Sequence, residues 1–340
     1  MRVSYSVAIR TLGTAGKKYE LLMKSISHQT VLPEKVIVVL PEGYKPPERI
    51  IGNEEFVFCQ KGMVTQRLEA LKYIDSEFTL FCDDDIELDS YFVERVLEPL
   101  NNKGYDCSTG PLLELLPPQT LKSMLKSVLG RACVMLRGRN RYYVRILKTG
   151  GWSYNRNIDQ TSHRIYETES CCGGCFMVRT AAMKKICFED EIWIGRNGYD
   201  AYEDQGMIYK LFLNEYRICV VSDAVYLHHD AGASKQGLKL EPIYAFYFNH
   251  YIFWYRFLFS QEKTLAQKLW DIVCVKYFYS VNRMNMFIHL FLGKIESETY
   301  KVAKKGYRDA KKYILSDEYQ NIPSPVIQTA TKCAVGHRKL

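Results

Sequence analysis

Two hydrophobic periodicities alternate along the first third of the chain, and that alternation limits the folds open to it. Ser4 to Arg10, Lys35 to Leu40, Glu54 to Cys59 and Glu77 to Cys82 are short β-favouring runs. Among them, Lys17 to His28 carries Leu21, Leu22 and Ile26 near helical spacing, and Val64 to Ile74 reads as a second helix. Strands and helices in this succession predict right-handed βαβ units and an α/β fold with a mostly parallel sheet flanked by helices. Ligands of such sheets bind beyond the carboxyl ends of the strands.

The fourth run ends in three aspartates. Phe78-Thr79-Leu80-Phe81-Cys82 leads directly into Asp83, Asp84 and Asp85. Like charges within one turn raise one another's pKa, and a divalent cation removes that cost. Hard oxygen ligands at a strand end suit Mg2+ or Mn2+, ions that bridge carboxylates to substrate phosphates. The competing reading is a solvated acidic turn before a helix that begins near Asp89.

At 340 residues, 47% hydrophobic and 25% charged, the chain has room for one large domain with an elaboration, or for two domains. Met1 to Val7 runs straight into a strand pattern with no apolar leader segment. The nearest approach to a membrane-spanning run, Asp271 to Leu292, is broken by Lys276, Arg283 and His289. The expected location is therefore cytoplasmic. The 11 cysteines are scattered, and Cys172-Gly173-Gly174-Cys175 lacks the second pair that a zinc site needs. Net charge is +8, and Lys122, Lys126, Arg131, Arg137, Arg139, Arg141, Arg145 and Lys148 follow one another with no acidic residue among them. Such a run meets nucleic acid, anionic lipid or an acidic substrate, or is a solvated basic face.

Beyond Asp89 the pattern predicts a helix to about Asn101, a strand over Asp106 to Leu113, and a basic segment that is partly helical. A strand over Gly174 to Arg179, a helix over Glu203 to Tyr216 and two short strands ending at His228 follow. From Pro242, aromatic residues between Tyr244 and Phe259 crowd one helical stretch. Helices over Thr264 to Leu292 and Lys301 to Ile314 come after it. An aromatic helix reads either as core or as a face resting on a membrane surface.

Four segments carry candidate chemistry: the end of the first strand (Val7 to Leu12), the aspartate triplet, Tyr202-Glu203-Asp204-Gln205 at a helix start, and His228-His229 at a strand end. Taken singly, Glu203 and Asp204 read as helix-capping carboxylates, and the histidines as structural. Their order resembles that of family 2 glycosyltransferases of the GT-A fold, bacterial polysaccharide and rhamnosyl-type enzymes among them. The likeness runs from about Ser4 to Gly232. It rests on Ser27-His28-Gln29-Thr30 with Val36 to Val39, on Thr65 to Leu71, on Phe81 to Asp85, on Cys172 to Arg179, on Tyr202 to Gln205 and on Val225 to His228. One departure is Leu40-Pro41-Glu42-Gly43, where the family commonly places an acidic pair that reads the nucleobase. Glu42 is the candidate substitute.

The resemblance implies a metal-dependent, inverting transfer of sugar from a nucleotide-diphosphate-sugar to a glycan or lipid-linked acceptor, in surface polysaccharide synthesis. It implies Asp204 as general base, and Asp85 with His228 (His229 as the alternative) as ligands of Mg2+ or Mn2+. Asp83 would meet the nucleotide ribose or the metal's water shell, with Asp84 a spacer turned away. Arg10 and Thr11 would line the nucleotide pocket, and Arg67 would face the diphosphate. Gly173, Gly174 and Glu203 would contact substrate. The basic run would meet a lipid diphosphate.

The implied organisation is a catalytic domain over 1–240, divided into a donor half over 1–105 and an acceptor half over 106–240 with a basic insertion near 115–170. An aromatic helical extension over 241–316 and a flexible tail over 317–340 complete it. The aromatic and basic stretches together suggest peripheral contact with an anionic membrane surface on the inner face of the cell membrane, and no nucleic-acid partner. Two other classes stay open. One is a nucleotidyltransferase, faintly suggested by Thr11 to Lys18. The other is a non-enzymatic nucleic-acid or membrane-binding protein.

Overall fold

Strand β1 (Tyr5–Arg10) lies inside an eight-stranded mixed sheet, paired in parallel with β2 (Lys35–Pro41) and β4 (Phe78–Asp83). The computed structural model describes residues 3–116, 120–121, 133–135, 142–171, 173–229 and 239–327. Strand β3 (Glu54–Cys59) closes one edge, parallel to β2. On the other side, β11 (Cys175–Arg179) runs antiparallel to both β4 and β6 (Cys107–Thr109). Then come β12 (Ile218–Val221), parallel to β6, and β10 (Ile165–Glu167), antiparallel to β12. The sheet is thus mostly parallel, as the alternating pattern predicts.

Helices cover both faces, so the central strands are apolar on both sides. Val36 and Val38 point to the face packed by α1 (Lys17–Ser27) and α3 (Phe92–Asn102). Ile37 and Val39 point the other way, to the face packed by α2 (Met63–Leu71), α4 (Thr180–Lys185) and α5 (Glu203–Leu213). All four side chains are fully buried. Phe81 on β4 stacks on Phe176 of β11 at 5.1 Å between ring centroids. Emptying such a site by truncation to Ala costs about 3–5 kcal/mol.

The short strand after the aspartates was not foreseen, whereas the one ending at His228 was. The chain does not pass from the aspartates straight into a helix; β5 (Ile86–Leu88) intervenes and pairs antiparallel with β13 (Tyr226–His228), setting His228 opposite Ile86. The strand expected over Asp106 to Leu113 shortens to three residues. The described residues of the basic insertion include short strands. Strands β7 (Cys133–Met135), β9 (Trp152–Tyr154) and β8 (Val144–Ile146) form a small sheet in that order. Residues 122–132 and 136–141, where most of the basic run falls, lie outside the described residues. Arg145 and Lys148 are described, and both pair with acids, Glu169 at 3.1 Å and Glu262.

The aromatic stretch is helix α6 (Leu240–Phe257), and it is core, not membrane face. Phe248, Phe253, Trp254 and Phe257 are buried. A buried charge network ties it to α5 and to the segment before it: Arg256 holds both oxygens of Glu191 at 2.7 Å, and Lys210 of α5 donates to the same carboxylate at 2.9 Å. Burial pushes the Glu191 carboxyl up, but Arg256 and Lys210 outweigh it and hold it below its ordinary value. Helix α7 (Leu265–Phe291) starts with a Thr264–Gln267 capping box. Helix α8 (Ser297–Tyr313) crosses α6 closely at Gly306, where a Cβ would meet the Tyr244 carbonyl at 2.6 Å.

The tail expected from residue 317 is held in place as far as it is described. Helix α9 (Asp317–Gln320) buries Tyr319. Asn214 bonds Pro325 and Ile327, and Arg256 bonds the Pro323 carbonyl. Among the described residues no helix is long and apolar enough to cross a membrane.

Candidate active site

The register of the sheet builds the site. Strands β1 and β4 end side by side, with Arg10 paired to Asp83 across the ladder. The Arg10 guanidinium grips both Asp83 oxygens, at 2.6 and 2.8 Å, in the forked geometry that arginine offers a carboxylate. Arg67 rises from α2 beneath them. It is 2% exposed, and its guanidinium reaches Asp83 at 3.2 Å, the Gly173 carbonyl at 2.8 Å and Glu203 at 2.6 Å. The Glu203 contact is a close pairing of charges whose N–H is not aimed at the oxygen.

Burial alone would push the Asp83 carboxyl up; Arg10 and Arg67 outweigh it and hold it down. Burial raises Glu203, and Arg67 offsets only part of that. Asp84 is also raised by burial, against the hydrogen bond it accepts from Thr11 at 2.5 Å.

The β5–β13 pair brings His228 to Asp85, with Nε2 3.4 Å from Oδ1. Asp83, Asp85 and His228 each present one ligand atom, all within 4.8 Å of one another, the one such group among the described residues. Two carboxylates and an imidazole make a donor set that fits a divalent cation. Asp83 already accepts from two guanidiniums, so Asp85 and His228 are the stronger part of that set. His229 turns away to Glu87 at 2.9 Å.

Asp204 enters from the first turn of α5. Its Oδ2 accepts from the Gly173 N–H and its Oδ1 from the Gln205 N–H, each at 2.9 Å. Tyr202 before it is buried at φ 71°, a left-handed conformation that is strained for a tyrosine. Its ring is wedged between Trp152, Phe246 and Phe253. The packing of the aromatic extension therefore sets where the Glu203–Asp204 pair points.

Two cavities share this wall. The larger, about 460 Å3, is lined by Arg10, Asp83, Gly173, Glu203 and Asp204, and on its far side by Phe246 and Tyr247 of α6. The smaller, about 240 Å3, shares Asp83, Gly173, Gly174 and Asp204 and extends to His228. A Cβ on Gly174 would press on His228 and Ile86 at 3.3 Å.

Of the residues singled out from sequence, Arg10, Asp83, Gly173, Gly174, Glu203, Asp204, Asp85 and His228 converge. Thr11 sits one layer back, holding Asp84. Arg67 does not face an open diphosphate position; its guanidinium is taken up by Asp83, Glu203 and Gly173, because it is the cation beneath a cluster of acids. Glu42 lies exposed in the turn after β2, outside both cavities. Cys172 is outside the described residues, and Cys175 lies 3.6 Å from Cys82, sulfur to sulfur. Trp152 and Tyr247 line cavities but were not foreseen. Trp152 followed two glycines that read only as a break, and Tyr247 was one of many aromatics in α6.

A family model described as "Glycosyl transferase family 2" matches residues 58–187, from β3 to α4, a span that holds Arg67, the aspartates and the glycine pair. Among solved structures, the crystal structure of S. aureus TarS 1-349 is similar at a TM-score of 0.50 and 17% identity, covering 91% of this chain and 81% of that one. The same protein in complex with UDP-GlcNAc gives 0.49 and 17%, over 94% and 82% of the two chains. The first of these is a likeness of fold, and the fold is of the GT-A type. A search of curated proteins returned no match.

Proposed function

Because the glycosyl transferase family 2 model matches residues 58–187, we propose that this chain is a glycosyltransferase that moves a sugar from a nucleotide-diphosphate-sugar to a hydroxyl of a glycan or lipid-linked acceptor, with inversion. The observation that carries this reading is the place of Asp204. Its carboxylate lies on the wall common to both cavities, anchored by the Gly173 N–H beside Asp83.

In this account Asp204 takes the proton of the acceptor hydroxyl as that oxygen bonds to the anomeric carbon. The bond from that carbon to the diphosphate breaks, and its electron pair leaves with the diphosphate. A single displacement needs no enzyme nucleophile. Asp85 and His228, with Asp83, would hold Mg2+ or Mn2+, which supplies charge neutralisation for the leaving group. Arg10 and Arg67 keep Asp83 ionised and fixed. Glu203, paired to Arg67, steadies the turn that presents Asp204. Trp152, Phe246 and Tyr247 offer the acceptor apolar faces.

The partner surface also changes place. With α6 buried, contact with an anionic membrane falls to α7, whose Trp270, Phe287 and Phe291 are 60, 58 and 84% exposed. The basic α8 meets α7 where Arg283 donates to the Tyr300 hydroxyl. Aromatic and cationic side chains on one surface suit the interface of an anionic bilayer. Action at the inner membrane face, in surface polysaccharide synthesis, follows as part of this proposal.

A thermal-shift series over nucleotide-sugars, with and without Mn2+, tests the donor. A bound donor raises the melting temperature by mass action, and acceptor-dependent release of nucleoside diphosphate then follows. No stabilisation by any nucleotide-diphosphate-sugar would overturn the reading.

A further inference from the structure

Between α6, α7 and α8 lies a third cavity of about 400 Å3, away from the aspartates. Lys276 and Arg283 of α7 and Lys304 and Arg308 of α8 line it, and no carboxylate does. Four cations around one small space repel each other, and a multivalent anion relieves that repulsion. Their contacts are mainly with neutral groups. Arg283 donates to the Tyr300 hydroxyl at 3.2 Å, and Lys304 lies over the Tyr300 ring at 5.6 Å. Arg308 comes only to 3.7 Å of Asp309, an acid that also takes the Tyr244 hydroxyl.

The back wall is rigid. Tyr279 and Tyr307 stack with centroids 3.7 Å apart, and the Tyr279 hydroxyl meets buried His250 at 2.8 Å. Tyr247 lines this cavity and the larger catalytic cleft alike. One tyrosine therefore stands between the basic groove and the space beside Asp204.

We propose that this groove is an acceptor subsite for a phosphate ester or diphosphate, seated among Lys276, Arg283, Lys304 and Arg308 while the acceptor's sugar end passes Tyr247 toward Asp204. The proposal rests on the transferase reading of the cleft and adds the acceptor's chemical class. Arginine forks match phosphate oxygens in pairs, and four cations offset more charge than a single carboxylate carries. The phosphate could be borne by a lipid or by a glycan. The basic run between residues 122 and 148 was expected to serve such a group; its two described members are instead paired with acids.

The test is calorimetric titration of the full chain with inorganic pyrophosphate and with farnesyl diphosphate in EDTA, which silences any metal-dependent site. Arg283→Gln/Lys304→Gln is expected to weaken pyrophosphate at least about tenfold, as loss of charge-assisted hydrogen bonds does. Lys301→Gln/Lys312→Gln, the same charge change outside the groove, should leave it near wild type, and melting curves check that both variants fold. Farnesyl diphosphate binding tighter than pyrophosphate supports a lipid-borne phosphate, and equal affinity a glycan-borne one. No pyrophosphate binding, or equal weakening in both double variants, overturns the subsite. Donor binding by the wild type in Mn2+ is read separately, so an intact donor response beside a silent groove sinks only this inference.

Discussion

A Cβ at position 173 would lie 2.2 Å from the Cβ of Asp204, and the Gly173 N–H donates to Asp204 Oδ2 at 2.9 Å. The glycine is required by the closeness of two backbones, since neither could stay in place around a methyl group. Gly173→Ala should therefore displace the carboxylate while leaving the Asp85–His228 corner intact. Misplacing a reacting group by an ångström costs about a hundredfold. Steady-state kinetics should show that loss in kcat, with donor KM little changed.

The proposed metal site divides the aspartate triplet. Asp85→Asn should weaken Mn2+ by more than the roughly 10–100-fold that loss of an outer-sphere partner costs, and His228→Gln should weaken it too. Asp84→Asn should do far less, because Asp84 spends its carboxylate on Thr11. Mn2+ titration followed by electron paramagnetic resonance measures all three, and added EDTA should stop turnover.

Glu191 is the anchor of the helical extension. Glu191→Ala leaves Arg256 and Lys210 buried without their anion, a loss of about 3–5 kcal/mol in urea unfolding. The pH dependence has a definite sign. A carboxyl held below its ordinary 4.5 in the folded state stabilises fully above the unfolded value, and that stability is lost as pH falls through the folded one. Stability measured between pH 7 and pH 3 should fall in the wild type below about 4.5, and the fall should be shallower in Glu191→Gln.

The exposed ridge of α7 predicts lipid binding. Trp270→Ser/Phe287→Ser/Phe291→Ser should float poorly with vesicles rich in phosphatidylglycerol, whereas its melting should hardly move, since exposed substitutions change stability by about 0.5 kcal/mol or less. Equal flotation of variant and wild type would remove the membrane surface from the account.

The parallel half of the sheet was legible because its signals are local: β1 to β4 are short β-favouring runs, and α1 and α2 have helical spacing. What was not legible depends on distant partners. Ile86-Glu87-Leu88 is too short to announce a strand until Tyr226 to His228 lies beside it. Arg67 read as a phosphate contact because no local pattern shows that three partners surround it. The segment from Asp317 to Ile327 looked loose because its anchors, Asn214 and Arg256, are far away in sequence. Both α6 and α7 carry many aromatic side chains, and only packing shows which helix is core. Asp83 to Asp85, Glu203, Asp204 and His228 were visible as residue types in order; the conformation of Tyr202 that aims Asp204 was not.

The most direct test of the proposed mechanism is Asp204→Asn. The amide oxygen can still accept from Gly173 and only the contact with the Gln205 N–H within the same turn is given up, so the local fold should hold, yet the amide cannot take a proton. The account predicts unchanged binding of the donor with Mn2+ and a fall in kcat of about 10²–10⁴. An Asp204→Asn enzyme that turns over at the wild-type rate would contradict it.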